Sequence, residues 1–212
     1  RLARDSFLVL SLLVPIIAGM GLNFGMVLGA MAGQIGLILV SDWKVMGLPG
    51  MTLAAIIATP LAVALGWMCG AILNRAKGRE MVTSYILGFF VNGLYQLVVL
   101  YFFGSLIPIH SPELVLSRGY GIRNAVNLVG IRNCLDYLIP VTIHGIRVPL
   151  GTFIIIAAFS AFIVWFRKTK LGQDMRAVGQ DMEVSRSAGI PVERTRLISI
   201  VISTVLAAYG QI

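Results

Sequence analysis

From Pro149 to Phe166 the chain carries no charged residue. Wound as an α-helix, a run of that length reaches about 27 Å, close to the hydrocarbon thickness of a bilayer at about 30 Å. In lipid every backbone N–H and C=O must find its partner within the segment, so a helix is the form such a run takes. Comparable apolar runs cover Phe7–Val40, Met51–Asn74, Met81–Leu106 and Leu197–Ile212. Charged residues make up 12% of the chain, against about a quarter in soluble domains, and mean hydropathy is +0.89. These runs predict an all-α, polytopic membrane protein with about five to six membrane-embedded helices. Residues 1–212 read as a single transmembrane domain. The sequence begins without Met and stops inside an apolar run, so the domain is expected to be incomplete at its C-terminal end.

The net charge is +8. A basic chain can be a nucleic-acid binder, but here the cations sit in polar segments between apolar runs. That pattern sets membrane orientation, so lipid and not nucleic acid is the expected surrounding. The long polar segment is 167–196, RKTKLGQDMRAVGQDMEVSRSAGIPVERTR. It holds Arg167, Lys168, Lys170, Arg176, Arg186, Arg194 and Arg196, and basic loops of this kind stay in the cytoplasm. The short basic loop 75–80 is expected on the same side. Two spans then place 107–148 outside, with a thinner basic density at Arg118, Arg123, Arg132 and Arg147.

The 167–196 loop also carries signals of order. Good helix formers from Gly172 to Val178 lead to Gly179. Asp181 can cap a second short helix, Gly189 can end it, and Pro191 can open the next helix. Charge alone would need only a solvated face. The helix-Gly-helix-Gly-Pro order suits a rigid knob that a partner can push.

From Gly172 onward the sequence GQDMRAVGQDMEVSRSAGIPVERTRLISIVISTVLAAYGQ resembles the cytoplasmic loop of bacterial ABC importer permeases. That family carries simple sugars, nucleosides and branched-chain amino acids. Its pattern, G-x-x-x-R-A-(V/I)-G-x-(N/D)-x-x-A-A-x-x-x-G-I with V-x-R and S-x-x-L-A-A, falls on a long series of positions here. They are Gly172, Arg176, Ala177, Val178, Gly179, Asp181, Ala188, Gly189, Ile190, Val192, Arg194, Ser203, Leu206, Ala207 and Ala208. Val184-Ser185 departs from the usual small pair, and Gln180-Asp181 replaces the commoner Gly-Asn.

The resemblance implies the transmembrane permease subunit of an importer, multi-pass in the inner membrane. Its loop 167–196 would engage a separate ABC ATPase through Gly172, Arg176, Ala177, Val178, Gly179, Asp181, Ala188, Gly189 and Ile190. It also implies a second permease copy or a homologous permease, and an extracytoplasmic solute-binding protein facing 107–148. The R-A-V-G form of the loop resembles the sugar and nucleoside branch more than the amino-acid branch. A simple sugar or nucleoside is therefore the expected solute. A branched-chain amino acid permease and an ATP-independent transporter or channel remain as alternatives.

Within the spans, two groups of polar residues stand out. Asn23 lies in the middle of Phe7–Val40, a run long for one crossing and short for two with a turn. Gly21, Gly25, Gly29 and Gly33 recur every four residues, a stripe that lets another helix approach closely. The stripe serves helix packing, or it marks a broken element lining a pathway, where irregular backbone is tolerated at depth. GLNFGMVLGAMAGQIGL resembles a family segment through Gly21, Leu22, Asn23, Gly33 and Gln34, which favours the pathway. The second group is Tyr85, Gly88, Asn92 and Gln96, on one helical face of Met81–Leu106. Asn92 and Gln96 are unfavourable in lipid and are expected to look inward, as interhelical hydrogen-bonding groups or as a wall for a polar solute. The candidate pathway residues are Asn23, Gln34, Asn92 and Gln96.

Catalytic signatures are missing from the sequence. It has no G-x-x-x-x-G-K-[ST] phosphate loop, no H-E-x-x-H and no G-x-S-x-G, so the chain is expected not to be an enzyme and to hold no cofactor. His110 and His144 lie far apart without nearby Cys or paired carboxylates, so no metal site is expected. Cys69 falls in an apolar run and Cys134 in a polar loop, so no disulfide between them is expected. NAVNLVGIRNCLDYLIP, within 107–148, has the pattern of a short amphipathic helix on the membrane surface. Asp5, Asp42, Glu80, Glu113, Asp136, Asp174, Asp181, Glu183 and Glu193 all avoid the middle of a span, which argues against a proton- or sodium-coupled pump. Energy must then come from a partner.

Overall fold

The computed structural model describes residues 2–45, 47–76, 78–103, 140–143 and 146–212. Among them run α1 (Leu2–Ile17), α2 (Met26–Asp42), α3 (Leu48–Arg75) and α4 (Glu80–Leu97), which a π turn extends over Val98–Phe102. A short hairpin of β1 (Pro140–Ile143) and β2 (Ile146–Pro149) leads into α5 (Leu150–Phe166). Two short helices follow, α6 (Lys170–Gln180) and α7 (Met182–Ser187), and then α8 (Val192–Gln211). The described residues are all-α but for the hairpin.

Among the described residues, two helices are long and apolar enough to cross a bilayer: α3 with 28 residues and α4 with its π turn at 23. Their apolar stretches are only 33% and 17% buried within the chain. The core helix of a soluble protein would be mostly buried. Here Ile56, Val63 and Trp67 of α3 and Val82, Ile86, Phe89 and Phe90 of α4 are exposed, as are Phe153, Ile154, Val164 and Trp165 of α5. Apolar residues that point outward on several helices at once suit a lipid solvent. The chain is a helical membrane protein.

α8 is the centre of the packing and lies against α1, α2 and α3. Small residues allow the close approach. The Gly29 backbone abuts the Thr204 carbonyl, and a Cβ at Gly33 would come 2.6 Å from the Ala208 carbonyl oxygen. Gly36 lies against α3 instead, where a Cβ would be 2.8 Å from the Ala54 oxygen. Helix packing is therefore what the stripe does at Gly29 and Gly33. The Thr204 hydroxyl adds a hydrogen bond of 3.1 Å to the Ala62 carbonyl of α3, and Thr59 meets the Tyr209 hydroxyl at 2.9 Å.

The run Phe7–Val40 forms two helices, not one. α1 ends in a Schellman motif: Gly19 has φ +74°, its amide donates to the Ile16 carbonyl, and the Met20 amide donates to the Pro15 carbonyl. Gly21 also has positive φ, +66°. The Asn23 side chain then accepts from the Gly25 amide at 2.8 Å, just before α2 begins. The break lies within an uncharged run, where Asn23 and three glycines lower the hydropathy of Ala18–Gly25 without adding a charge.

Other boundaries move for local reasons. The expected span from Leu197 begins at Val192, because the polar residues Glu193, Arg194, Thr195 and Arg196 continue the helix that Pro191 opens. Gly179 does not end its helix; Asp181, in an extended conformation, does so two residues later. β-branched Val141, Thr142, Ile143, Ile146 and Val148 build the hairpin, with Val141 opposite Val148 and Thr142 opposite Arg147. The rest of 107–148 lies outside the described residues, including His110, Cys134, His144 and nearly all of the expected surface helix.

Candidate functional site

The segment after α5 folds as a built object. The Thr169 side chain accepts from the Gly172 amide at 3.3 Å and starts α6. Gly172, Met175 and Val178 recur every three residues and form the buried face of α6, which packs on α1 and α8. Arg176 and Gln180 are exposed and Ala177 is half-buried.

Asp181 is the pivot between the two short helices. Its carboxylate accepts from the Glu183 amide at 2.8 Å and the Val184 amide at 3.0 Å. Gly189, at φ +82°, closes α7 in a second Schellman motif, with the Ile190 amide on the Ser185 carbonyl and the Gly189 amide on the Arg186 carbonyl. Arg186, Ser187, Ala188 and Gly189 are exposed, and Ile190 is half-buried. The expected loop residues thus divide by role. Gly172 and Val178 anchor the knob. Arg176, Asp181, Ala188 and Gly189 are on its surface, and Gly179 backs onto the Ile17 carbonyl at the end of α1.

Two residues here escaped the sequence reading. Val184 is 62% exposed on α7 and, beside Arg186, gives the knob an apolar contact point as well as cations. The signal was present, since Val184 is where the loop departs from the family's small pair. The second is Arg196, counted above as one of the loop's orienting cations. Its side chain has no exposed surface. One guanidinium nitrogen donates to Glu80 at the start of α4, another lies 3.9 Å from the Met182 sulfur of α7, and Nε has no partner among the described residues. Arg196 therefore ties α8, α7 and α4 together. Asn74 adds a further tie, donating at 2.8 Å to the Glu193 carbonyl.

The polar residues of the spans are not gathered in one place. Asn23 is 2% exposed, and its Nδ2 has no partner among the described residues. It sits in the 18–25 turn beside Cys69 of α3, which is a free, buried thiol. The adjoining Phe24 amide donates to Ser84 of α4 at 3.3 Å, and the Phe24 ring packs edge-on against Tyr85 at 5.2 Å. Gln34 and Asn92 are half-buried, and Gln96 is exposed on the outer side of α4. Of the four, only Asn23 is enclosed by this chain alone. No group of His, Cys, Asp and Glu suited to a metal occurs among the described residues.

Comparison with known proteins gives this arrangement a family. The family model for the permease component of the branched-chain amino acid transport system matches residues 6–210. The autoinducer 2 import system permease protein LsrD of Photorhabdus luminescens is 27% identical over 202 residues, covering 94% of this chain and 52% of that protein. LsrD of Photorhabdus temperata is 29% identical over 184 residues, covering 86% and 47%. The nucleoside ABC transporter permease protein NupB of Lactococcus lactis subsp. cremoris is 25% identical over 201 residues, covering 89% and 50%. The chain spans about half the length of the curated relatives it matches. No solved structure matches it. From a match over nearly its whole length, the chain belongs to the family of permease components of the branched-chain amino acid transport system.

Proposed function

We propose that this chain is the pathway-forming part of an ABC importer permease, multi-pass in the cell membrane, for a small polar solute of the simple-sugar or nucleoside class. The observation that carries the reading is the knob formed by α6 and α7. It is capped at Thr169 and Asp181, closed at Gly189, and anchored by Met175, Val178 and Arg196 to the helices behind it. A connector needs no such stiffness. A handle does.

A separate ATPase would grip the knob in a groove on each nucleotide-binding subunit. Closure of the ATPase pair would displace the knob, and the helices fixed to it would rock and switch the open side of the pathway. A second permease, identical or homologous, would complete the pathway, and a solute-binding protein would deliver from the other face. ATP hydrolysis would belong to the partner and not to this chain. The names of the relatives support the solute class: two are autoinducer 2 permeases and one is a nucleoside permease.

The family's own description favours a second reading, a branched-chain amino acid as solute. Co-purification of the full-length protein followed by transport assays in vesicles tests both. An ATPase subunit should accompany the permease, and uptake of a sugar or nucleoside should require ATP. Uptake confined to leucine, isoleucine or valine would select the second reading. Uptake without any ATPase would remove both.

A further inference from the structure

The 18–25 turn and the knob touch through two glycines. Gly19 and Gly179 come together backbone to backbone. A Cβ on Gly19 would lie 2.7 Å from Gly179 Cα, and one on Gly179 would overlap the Ile17 carbonyl oxygen. Only glycines permit that approach. Gly179 has an ordinary helical conformation and does not end its helix, so its lack of a side chain answers to the contact and not to the backbone.

What lies behind Gly19 makes the contact consequential. The turn continues through buried Met20 and buried Asn23 to the Gly25 amide that precedes α2. Its Phe24 amide rests on Ser84 of α4, and Gly25 lies beside Cys69 of α3. α2 then runs along α8 with the same close backbone contact at Gly29 and Gly33. A close-packed assembly of this kind transmits displacement and does not absorb it.

We infer that the coupling helix α6 drives the bundle directly through the Gly19–Gly179 joint, so that the 18–25 turn moves with α6 as one body. Movement then reaches α2 and α4, which are not joined to the knob in sequence, as well as the flanking α5 and α8. This rests on the reading of the knob as an ATPase handle. Gly19 is a positioning residue in it and touches no solute.

The test compares Gly19→Ala with Gly21→Ala in the complete importer reconstituted in vesicles. Both glycines have positive φ and suffer the same backbone strain, but a Cβ on Gly21 meets nothing within 4 Å. The readouts are ATPase co-purification, basal ATP hydrolysis, and solute molecules moved per ATP. Gly19→Ala should keep the first two and lower the third by about tenfold, while Gly21→Ala keeps all three. Equal ratios in the two variants would overturn the joint.

A second measurement does not depend on either variant folding. Leu22→Cys with Gln180→Cys, both at exposed positions, is linked by a bis-maleimide with a reducible spacer after Cys134→Ser. Linked complexes should transport at the unlinked rate. Transport that stops on linking and returns on reduction would show α6 sliding past the turn and would overturn the inference. Absence of any ATPase from the unmutated preparation would instead remove the handle reading, and the inference with it.

Discussion

Arg196 donates to Glu80 across 116 residues of sequence, from a position with no exposed surface. A buried cation contributes little net stability as a pair, but losing its partner leaves a charge without compensation, at about 3–5 kcal/mol for a fully buried pair and less here, where Glu80 keeps some contact with solvent. Glu80→Ala should therefore lower the thermal midpoint of the detergent-purified protein sharply. Arg196→Met combined with Glu80→Gln should recover much of the loss, because an apolar side chain of similar length can fill the site. A midpoint unchanged in Glu80→Ala would mean the guanidinium has another acceptor or reaches water.

Orientation gives the second prediction. The basic segments 75–80 and 167–196 should face the cytoplasm, following the Lys/Arg bias. Ser187 is exposed at the end of α7, so a cysteine there is accessible wherever that side lies. With Cys134 replaced, and with Cys69 buried, Ser187→Cys in intact cells should resist an impermeant thiol reagent and react after permeabilisation. Ready labelling from outside would reverse the topology.

The pathway gives the third. Asn23 is enclosed by this chain, whereas Gln96 is exposed on α4 and Asn92 is half-buried beside it. An exposed amide is unfavourable against lipid but not against a second permease or a wet route between two copies. Asn92→Leu should then reduce transport more than Leu97→Ala, a change of similar reach at an exposed neighbouring position. Similar transport in the two variants would assign Asn92 to packing.

How much of this was legible beforehand depended on the range of the interaction. Asp181 as a cap and Gly189 at positive φ could be read from the sequence, because both are properties of a few adjacent residues. The apolar helices were legible for the same reason. The break at 18–25 was legible only as one of two readings, since Gly21 and Gly25 also fit a packing stripe and the segment carries no charge. The sequence shows Arg196 only as one of seven cations in the loop, because its partner, Glu80, lies in another loop. Gly179 was read as a helix end, whereas it is a contact with residues near the start of the chain. In the site, the roles of Arg196 and Gly179 depend on partners far along the chain, whereas Val184 carried a local signal in its departure from the small pair.

The fourth prediction concerns the knob itself. Gly189 holds φ +82° with open space around it, so a larger side chain there meets no neighbour and suffers only backbone strain. For a residue with a side chain that strain amounts to about 1–2 kcal/mol, and a β-branched one fares worst. Gly189→Val should therefore misdirect the end of α7 while leaving the spans folded, because their backbone bonds are satisfied within each helix. Arg176 is exposed on α6, and a groove that receives it should be acidic. Arg176→Glu would set like charges against each other there, at a cost of several kcal/mol, and should weaken ATPase association. Both variants should insert into the membrane in normal amounts and lose solute-stimulated ATP hydrolysis in the assembled importer. The measurement is ATPase activity of purified complexes with and without the solute and its binding protein. Full stimulation and full transport in both variants would reduce the knob to a solvated connector, because neither its direction nor its charge would then matter to the partner.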